Sequence, residues 1–335
     1  MLLSLGLAEI AFRVLTREGQ FYDTAQVEFW KANLRRGPAP GDARTTDIEY
    51  DPQLGWRMKR GFRSEAGGVR VSQNSEGFRG PEEFTETPGA RLRILVLGAS
   101  MAYGLGVSDE EVFTARLEQE YGVEAIDAGV NAYGADQALL MWEQEGRRFR
   151  PAIVVLVYHV DDFYRVGLPI RDLPKPYFVE ADGGFQLAGV PVPRVEELAR
   201  GGALDPPTTL RIVQAYRWFV RRVHWRTRRP DPDEMNRLRR LNTYVLERLR
   251  DSTGAAGARL LVLIAGHCSP DPAFQYSEAA VLEIAQSLGI ETLDAAAEMA
   301  NPGGANYGDN CHWSPGAHEH VAGELAQRLA LPAAR

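Results

Sequence analysis

The central strand of this chain is predicted within Arg93-Ile94-Leu95-Val96-Leu97-Gly98-Ala99-Ser100-Met101-Ala102-Tyr103-Gly104-Leu105-Gly106-Val107. An unbroken apolar run closed by a glycine is typical of a strand buried on both faces of a parallel sheet. The strand leads into Ser100, and a loop of small residues follows. Because open α/β sheets bind ligands at the carboxyl ends of their strands, Ser100 is a candidate nucleophile if a base can reach it.

The sequence after this strand alternates between helix and strand patterns. Strands are predicted over 123–128, 152–158, 258–265 and 290–293, and helices over 108–121, 135–149, 231–254, 278–288 and 315–329. The first of these helices begins at a capping box, in which a serine is followed three residues later by a glutamate. Such alternation predicts an α/β fold in three α/β/α layers, with a parallel sheet of about five strands and right-handed crossovers.

Composition narrows the classes of function. The chain has 335 residues, 44% of them apolar and 25% charged, and a net charge of −7. An acidic balance argues against a nucleic-acid-binding protein. The two cysteines, Cys268 and Cys311, exclude a disulfide framework and a four-cysteine zinc site. Both are predicted near one sheet edge, where two inert thiols are favoured over a disulfide or a weak metal site. We predict no metal and no cofactor.

Two segments raise the question of membrane contact. Residues 2–15 are apolar but too short to span a bilayer, and they lack a basic leader and a cleavage site. A docking helix is favoured over an interfacial or truncated membrane segment. Residues 216–229 are basic and aromatic, which fits a helix with solvated arginines, or contact with an anionic membrane or acidic ligand. The sequence as written predicts a cytoplasmic protein; the alternative is a membrane-associated or periplasmic one with a truncated amino terminus.

The start of the helix and strand alternation at about residue 91 divides the chain into two regions. Residues 1–90 are predicted to form an amino-terminal helix and an irregular lobe that packs on the main domain or, as a second expectation, forms a wall of the substrate pocket. Residues 91–335 form the main domain, with an insertion at about 164–230. Two short strand patterns around Asp182-Gly183-Gly184 predict a β-hairpin in this insertion. An insertion after the third strand at the carboxyl edge would overhang the site, so it is a candidate lid.

A base is available near the carboxyl terminus. Asp309-Asn310-Cys311-His312 lies in a loop rich in glycine and asparagine, just before the last predicted helix. Acid and imidazole are close enough in sequence to share one turn. Together with Ser100 they are the parts of a nucleophilic triad.

These residues and their order resemble the SGNH (GDSL-type) hydrolases. The first block of that family, Gly-Asp-Ser, is matched by Gly98-Ala99-Ser100, and the last, Asp-x-x-His, by Asp309 and His312. Gly129 matches the glycine of the second block, and His159-Val160-Asp161-Asp162 stands at the third, Gly-x-Asn-Asp. The resemblance implies a flavodoxin-like α/β/α fold and a catalytic triad of Ser100, His312 and Asp309. It also implies an oxyanion hole built from Ser100, Gly129 and the position of Asp161.

The sequence departs from the family at two positions. Ala99 replaces an aspartate that supports the loop, which removes no triad member. Asp161 replaces the asparagine whose amide donates to the oxyanion, and an ionised carboxylate repels a developing negative charge. Three explanations stay open: Asp161 is protonated in a dry pocket, another group donates in its place, or hydrolysis has been lost.

Other polar residues near these blocks have weaker assignments. Asp161 and Asp162 lack further acidic ligands at a recognisable spacing, which disfavours a metal. A satisfied core or edge histidine is favoured for His159 over a pocket residue. His318 and His320 are expected to be packing or surface residues on the last helix. The candidate pocket residues are Ala99, Met101, Asn131, His159, Asp162 and Trp313.

The resemblance implies a serine esterase or deacylase that acts on a small-molecule or glycan ester, namely an acyl group on a carbohydrate, lipid or secondary metabolite. The first alternative is an acyltransferase with the same triad. The second is a catalytically silent module that binds a glycan or a partner. The sequence does not choose the acyl chain or the oligomeric state.

Overall fold

The computed structural model describes residues 2–15, 47–171, 173–194, 197, 212–213, 215–216, 219, 232–266, 272–295 and 312–334. A five-stranded parallel sheet lies at its centre. In chain order its strands are β5 (Arg93–Gly98), β6 (Glu124–Asp127), β7 (Ile153–Tyr158), β12 (Arg259–Ile264) and β13 (Glu291–Asp294), and their spatial order is β13-β12-β7-β5-β6. Numbered within the sheet, this order is 2-1-3-4-5, the flavodoxin-like arrangement. The predicted fold class is confirmed.

Helices cover both faces of the sheet. On one face lie α4 (Ala135–Gln144), α6 (Pro232–Ala255) and α7 (Pro272–Ser287), which share a core with Leu95, Leu97 and Leu156 of the sheet. On the other lie α2 (Ser100–Tyr103), α3 (Phe113–Tyr121) and α8 (Pro315–Arg328), packed on Ile94, Val96 and Val155. Successive side chains of a strand point to opposite faces, so each apolar strand serves both layers.

Three predicted helices differ from those observed. The capping box at Ser108 is present, but it opens a 3₁₀ turn (Asp109–Glu111), and α3 begins only after the extended Val112. The helix predicted over 135–149 ends at Gln144, and a 3₁₀ turn (Gly146–Phe149) follows. The helix predicted from 278 begins six residues earlier, at Pro272. Each difference lies at a helix end, where local bonding competes with the helical ladder.

From residue 47 on, the described part of the amino-terminal lobe contains two antiparallel hairpins. They are β1 (Ile48–Asp51) with β2 (Gly55–Met58), and β3 (Arg63–Ala66) with β4 (Val69–Ser72). Trp56 and Phe78 are buried in the core that α4 also joins. Trp56 meets Tyr133 edge-on at 5.5 Å, and the Tyr133 hydroxyl donates to the Trp56 carbonyl. The lobe therefore packs on the main domain, as its aromatic residues predict.

The insertion contains the predicted hairpin, β10 (Tyr177–Ala181) with β11 (Gly184–Ala188), preceded by the short pair β8 (Ile170–Arg171) and β9 (Leu173–Pro174). Phe178 and Phe185 pack against Tyr244 of α6 with ring centroids 5.4 and 5.1 Å apart. Among the described residues, these ring contacts place the hairpin on the helical layer rather than against Ser100 or His312. Its role as a lid stays a prediction.

The first helix, α1 (Leu2–Leu15), carries exposed apolar side chains at Ile10, Val14 and Leu15. Its buried Glu9 accepts hydrogen bonds from the Arg13 side chain and from the backbone of Ile212. Of the helices described, none is long and apolar enough to cross a bilayer. The segment 216–229 lies almost entirely outside the described residues.

Candidate active site

Ser100 sits at the carboxyl edge of the sheet because β5 ends in a sharp turn. Gly98 has φ 147°, and a Cβ there would lie 2.6 Å from the carbonyl oxygen of Val157 on the neighbouring strand. Only glycine fits so close to that strand. Ser100 then opens the single-turn helix α2, which ends at Gly104 in the left-handed conformation, with φ 73°. The short helix presents the serine at the end of a buried strand.

His312 reaches Ser100 from the other end of the chain. Its Nε2 lies 2.8 Å from the Ser100 Oγ, across a separation of 212 residues. The residues that follow it are well anchored: Trp313 is buried and meets Phe113 edge-on, and the Ser314 hydroxyl caps α8 by accepting from the Ala317 N–H. The distance allows the Ser100 hydroxyl to donate its proton to the imidazole.

Asp309 lies outside the described residues, as do Cys268 and Cys311. The contact of His312 with Ser100 is therefore the part of the predicted triad that the structure brings together. No group of three or more histidine, cysteine, aspartate or glutamate side chains able to hold a metal occurs among the described residues.

Gly129 lies against the serine helix. A Cβ at this position would be 2.5 Å from the Tyr103 nitrogen and 2.9 Å from the Ala102 Cβ. Its N–H, however, donates to Oδ1 of Asp127 at 2.9 Å. The other oxygen of Asp127 accepts from the Thr114 hydroxyl, and complete burial raises the pKa of this carboxyl to about 7. The N–H predicted as an oxyanion donor thus already has an acceptor.

The same loop offers two further donors. The backbone N–H groups of Asn131 and Ala132 have no hydrogen-bond partner within the described part of the chain. Ala132 has φ 66°, in the left-handed region that favours glycine. This turn could not be recognised from local patterns, because an alanine does not mark a left-handed position.

The third block presents an acceptor instead of a donor. The Asp161 carboxylate accepts from the Arg165 guanidinium at 3.1 Å, and its side chain is 32% exposed. A carboxylate paired in this way offers no hydrogen to an oxyanion. The backbone N–H of Asp161 donates to Nδ1 of His159 at 3.3 Å. In this arrangement the Asp161 side chain accepts from Arg165, and its place in the oxyanion hole stays a prediction.

Asp162 stabilises the loop that follows β7. It is buried, and it accepts from Arg165 at 3.0 Å and from the His159 backbone N–H at 3.1 Å. Burial raises the pKa of its carboxyl to about 7. These bonds hold the start of the one-turn helix α5 (Asp162–Arg165) close to the end of β7.

The remaining candidate pocket residues belong mostly to the core. Ala99, Met101 and Trp313 are each no more than 3% exposed. Asn131 is partly exposed, and its carbonyl accepts from the Trp56 indole N–H at 3.0 Å. His318 packs in the helical layer, where its Nδ1 accepts from the Phe113 N–H. Burial lowers the pKa of its imidazole to about 3.

The chain is similar in structure to several solved proteins, and it covers almost their whole length. The chain is similar to TesA (14% identity, TM-score 0.42, 71% of this chain and 97% of that one) and to the psychrotrophic esterase EstA from Pseudoalteromonas sp. (13%, 0.43, 71% and 97%). It is also similar to the acetylxylan esterase Axe2 from Geobacillus stearothermophilus (12%, 0.43, 73% and 96%). No protein-family model and no curated protein matches the sequence. At these values the fold assignment rests on the strand order of the sheet.

Proposed function

We propose that this protein is a serine esterase or deacylase. The observation that carries the proposal is the 2.8 Å contact between the Ser100 Oγ and the His312 Nε2 at the carboxyl edge of the parallel sheet. A serine alone is a poor nucleophile, and an imidazole at this distance can remove its proton as the oxygen attacks. No cofactor is required for this chemistry.

In the proposed reaction, the Ser100 hydroxyl gives its proton to Nε2 of His312 while Oγ attacks the ester carbonyl. The tetrahedral intermediate collapses when the imidazolium returns the proton to the leaving alcohol, which leaves an acyl group on Ser100. Water then attacks the acyl group with His312 again as the base, and Ser100 is released. Asp309, three residues before His312, is the proposed acid that orients the imidazole.

The oxyanion hole is proposed to differ from the expected set of donors. The Gly129 N–H is bonded to Asp127, and Asp161 is an acceptor. The Ser100 N–H and the N–H groups of Asn131 and Ala132 are the backbone donors that we propose in their place. Loss of one donor slows such reactions by roughly 100-fold to 1,000-fold, so a slow enzyme is expected only if these N–H groups do not reach the oxyanion.

The test is hydrolysis of p-nitrophenyl esters from acetate to dodecanoate by the purified chain and by the variants Ser100→Ala and His312→Gln. Ser64→Ala, a substitution on the outer hairpin of the lobe, is the matched control. The proposal requires that both site variants lose the activity and that the control retains it. Covalent labelling by a phosphonate ester, located by mass spectrometry, should fall on Ser100.

Two outcomes would favour other functions. Labelling of Ser100 without hydrolysis, together with transfer of the acyl group to an added sugar or alcohol, would favour an acyltransferase. Neither labelling nor hydrolysis, with ligand binding unchanged in Ser100→Ala, would favour a silent binding module. A faster reaction in Asp161→Asn would show that the carboxylate at this position opposes the developing charge.

A further inference from the structure

The serine helix has almost no stability of its own. It contains four residues, and a single helical turn fixes several backbone torsions for very few hydrogen bonds. The last carbonyl groups of any helix also lack intrahelical partners. The position of Ser100 relative to His312 must therefore be fixed by groups outside α2.

Arg79, from the amino-terminal lobe, makes such contacts with the serine helix from outside it. Its Nη1 donates to the carbonyls of Tyr103 and Gly104 at 3.1 and 3.2 Å, and its Nη2 donates to the carbonyl of Val107 at 2.7 Å. Its guanidinium carbon lies 4.8 Å from the centre of the Tyr103 ring. The cation thus binds the carbonyl end of the serine helix and the loop that follows it, where a positive charge is most favourable.

Arg79 is itself held by a carboxylate and by the edge strand of the sheet. Its Nε donates to the Asp109 carboxylate at 2.8 Å, and its side chain is only 1% exposed. Its backbone N–H donates to the carbonyl of Asp127, which adds the residue to the edge of β6. A second lobe residue, Gln73, donates to the Tyr103 hydroxyl at 2.8 Å. The serine helix is therefore tied to both the lobe and the edge strand.

We infer that Arg79 is a positioning residue for the Ser100 nucleophile, acting through the carbonyls of residues 103, 104 and 107. The inference rests on the proposed function. A planar guanidinium satisfies one carboxylate and three carbonyls at fixed angles, which the single ammonium of lysine cannot reproduce. Without this arrangement α2 shifts, and a displacement of about 1 Å at a reacting group costs about 100-fold in rate.

The test compares Arg79→Lys with Arg93→Lys. Arg93 is the matched control, because its buried guanidinium also binds one carboxylate, Glu124, and two backbone carbonyls. It lies at the opposite, amino-terminal end of β5. Both variants should lose stability, whereas only Arg79→Lys should lose about 100-fold in kcat on p-nitrophenyl acetate, with KM nearly unchanged.

Hydrogen exchange provides a second readout. The amides of Tyr103, Leu105 and Val107 are bonded within the serine loop, and they should exchange faster in Arg79→Lys but not in Arg93→Lys. If Arg79→Lys fails to fold, Asp109→Ala removes the carboxylate that orients the guanidinium and should act in the same direction, with a smaller loss.

The outcomes separate the inference from the proposed function. An active wild-type protein whose Arg79→Lys variant keeps its kcat, or loses no more than Arg93→Lys, overturns the inference and leaves the esterase intact. A wild-type protein that neither hydrolyses esters nor labels at Ser100 overturns both. A selective loss of kcat with faster exchange over 103–107 supports the inference.

Discussion

Replacing Asp127 with asparagine is expected to stabilise the protein above neutral pH. The carboxylate is fully buried, and burial raises its pKa to about 7 even though Gly129 and Thr114 donate to it and Arg79 is nearby. Asparagine keeps an acceptor for the Gly129 N–H, and its amide can donate to the Thr114 hydroxyl. The substitution therefore removes the buried charge but preserves both contacts.

The magnitude follows from the pKa. A rise from about 4 in the unfolded chain to about 7 in the folded protein corresponds to about 4 kcal/mol, at about 1.4 kcal/mol for each tenfold change in acidity. Between these two pH values the folded state binds more protons than the unfolded state. The free energy of unfolding contributed by this group therefore falls as the pH rises from about 4 to about 7, and the full penalty is present above that.

The assay is urea unfolding at pH 5 and pH 8.5, followed by tryptophan fluorescence and circular dichroism. The free energy of unfolding of Asp127→Asn relative to the wild-type protein should increase by about 2 to 4 kcal/mol from pH 5 to pH 8.5. Asp162 contributes a similar pH dependence to both proteins, because its pKa is also raised to about 7 by burial, and it cancels in the difference.

The control is Asp251→Asn, which changes an exposed aspartate on α6. It should alter the free energy of unfolding by no more than about 0.5 kcal/mol at either pH. If Asp127→Asn is less stable than the wild-type protein at pH 8.5 by more than at pH 5, the buried carboxylate is stabilising and the reasoning is wrong.

Three further substitutions test packing around the site. Lys175→Met leaves the buried Asp136 without the cation that lies 2.5 Å from it, and urea unfolding should show a loss of about 3 to 5 kcal/mol; a loss below 1 kcal/mol would contradict a dry ion pair. Gly129→Ala places a methyl group 2.5 Å from the Tyr103 nitrogen, so it should lower the free energy of unfolding by about 1 to 3 kcal/mol and reduce ester hydrolysis. An unchanged kcat would show that the position of the serine helix does not depend on this loop. Ala132→Gly removes the steric strain of an alanine in the left-handed region and should add about 1 kcal/mol to the free energy of unfolding. An unchanged or lower free energy of unfolding would contradict strain at this turn.

Local patterns in the sequence were sufficient for most of the architecture. The strands at 93–98 and 153–158 are continuous apolar runs, and the hairpin around Asp182-Gly183-Gly184 has its turn residues between two strand patterns. Such signals depend on neighbouring residues alone, so they can be recognised without coordinates. Helix ends were less predictable, because the bonds of Asp109 to Arg79 and Ser72 come from residues more than 29 positions away.

Part of the candidate site could likewise be predicted from the sequence, and part could not. Ser100 and His312 could be named from their motifs, but a separation of 212 positions in the sequence carries no information about distance in space. Only the folded chain places their side chains 2.8 Å apart. The sequence does not predict that the Gly129 N–H donates to Asp127, since two residues of one loop can form a hydrogen bond or point apart.

What the sequence determined by itself is the order of strands and helices, the serine at the end of the central strand and the histidine before the last helix. What only the tertiary structure decided is which polar groups remain available at the site. Asp161 pairs with Arg165, and Arg79 of the lobe binds the carbonyls behind the serine. Hydrogen bonds and ion pairs of this kind depend on positions and angles in three dimensions, and these exist only once the sheet, its helices and the lobe have packed together.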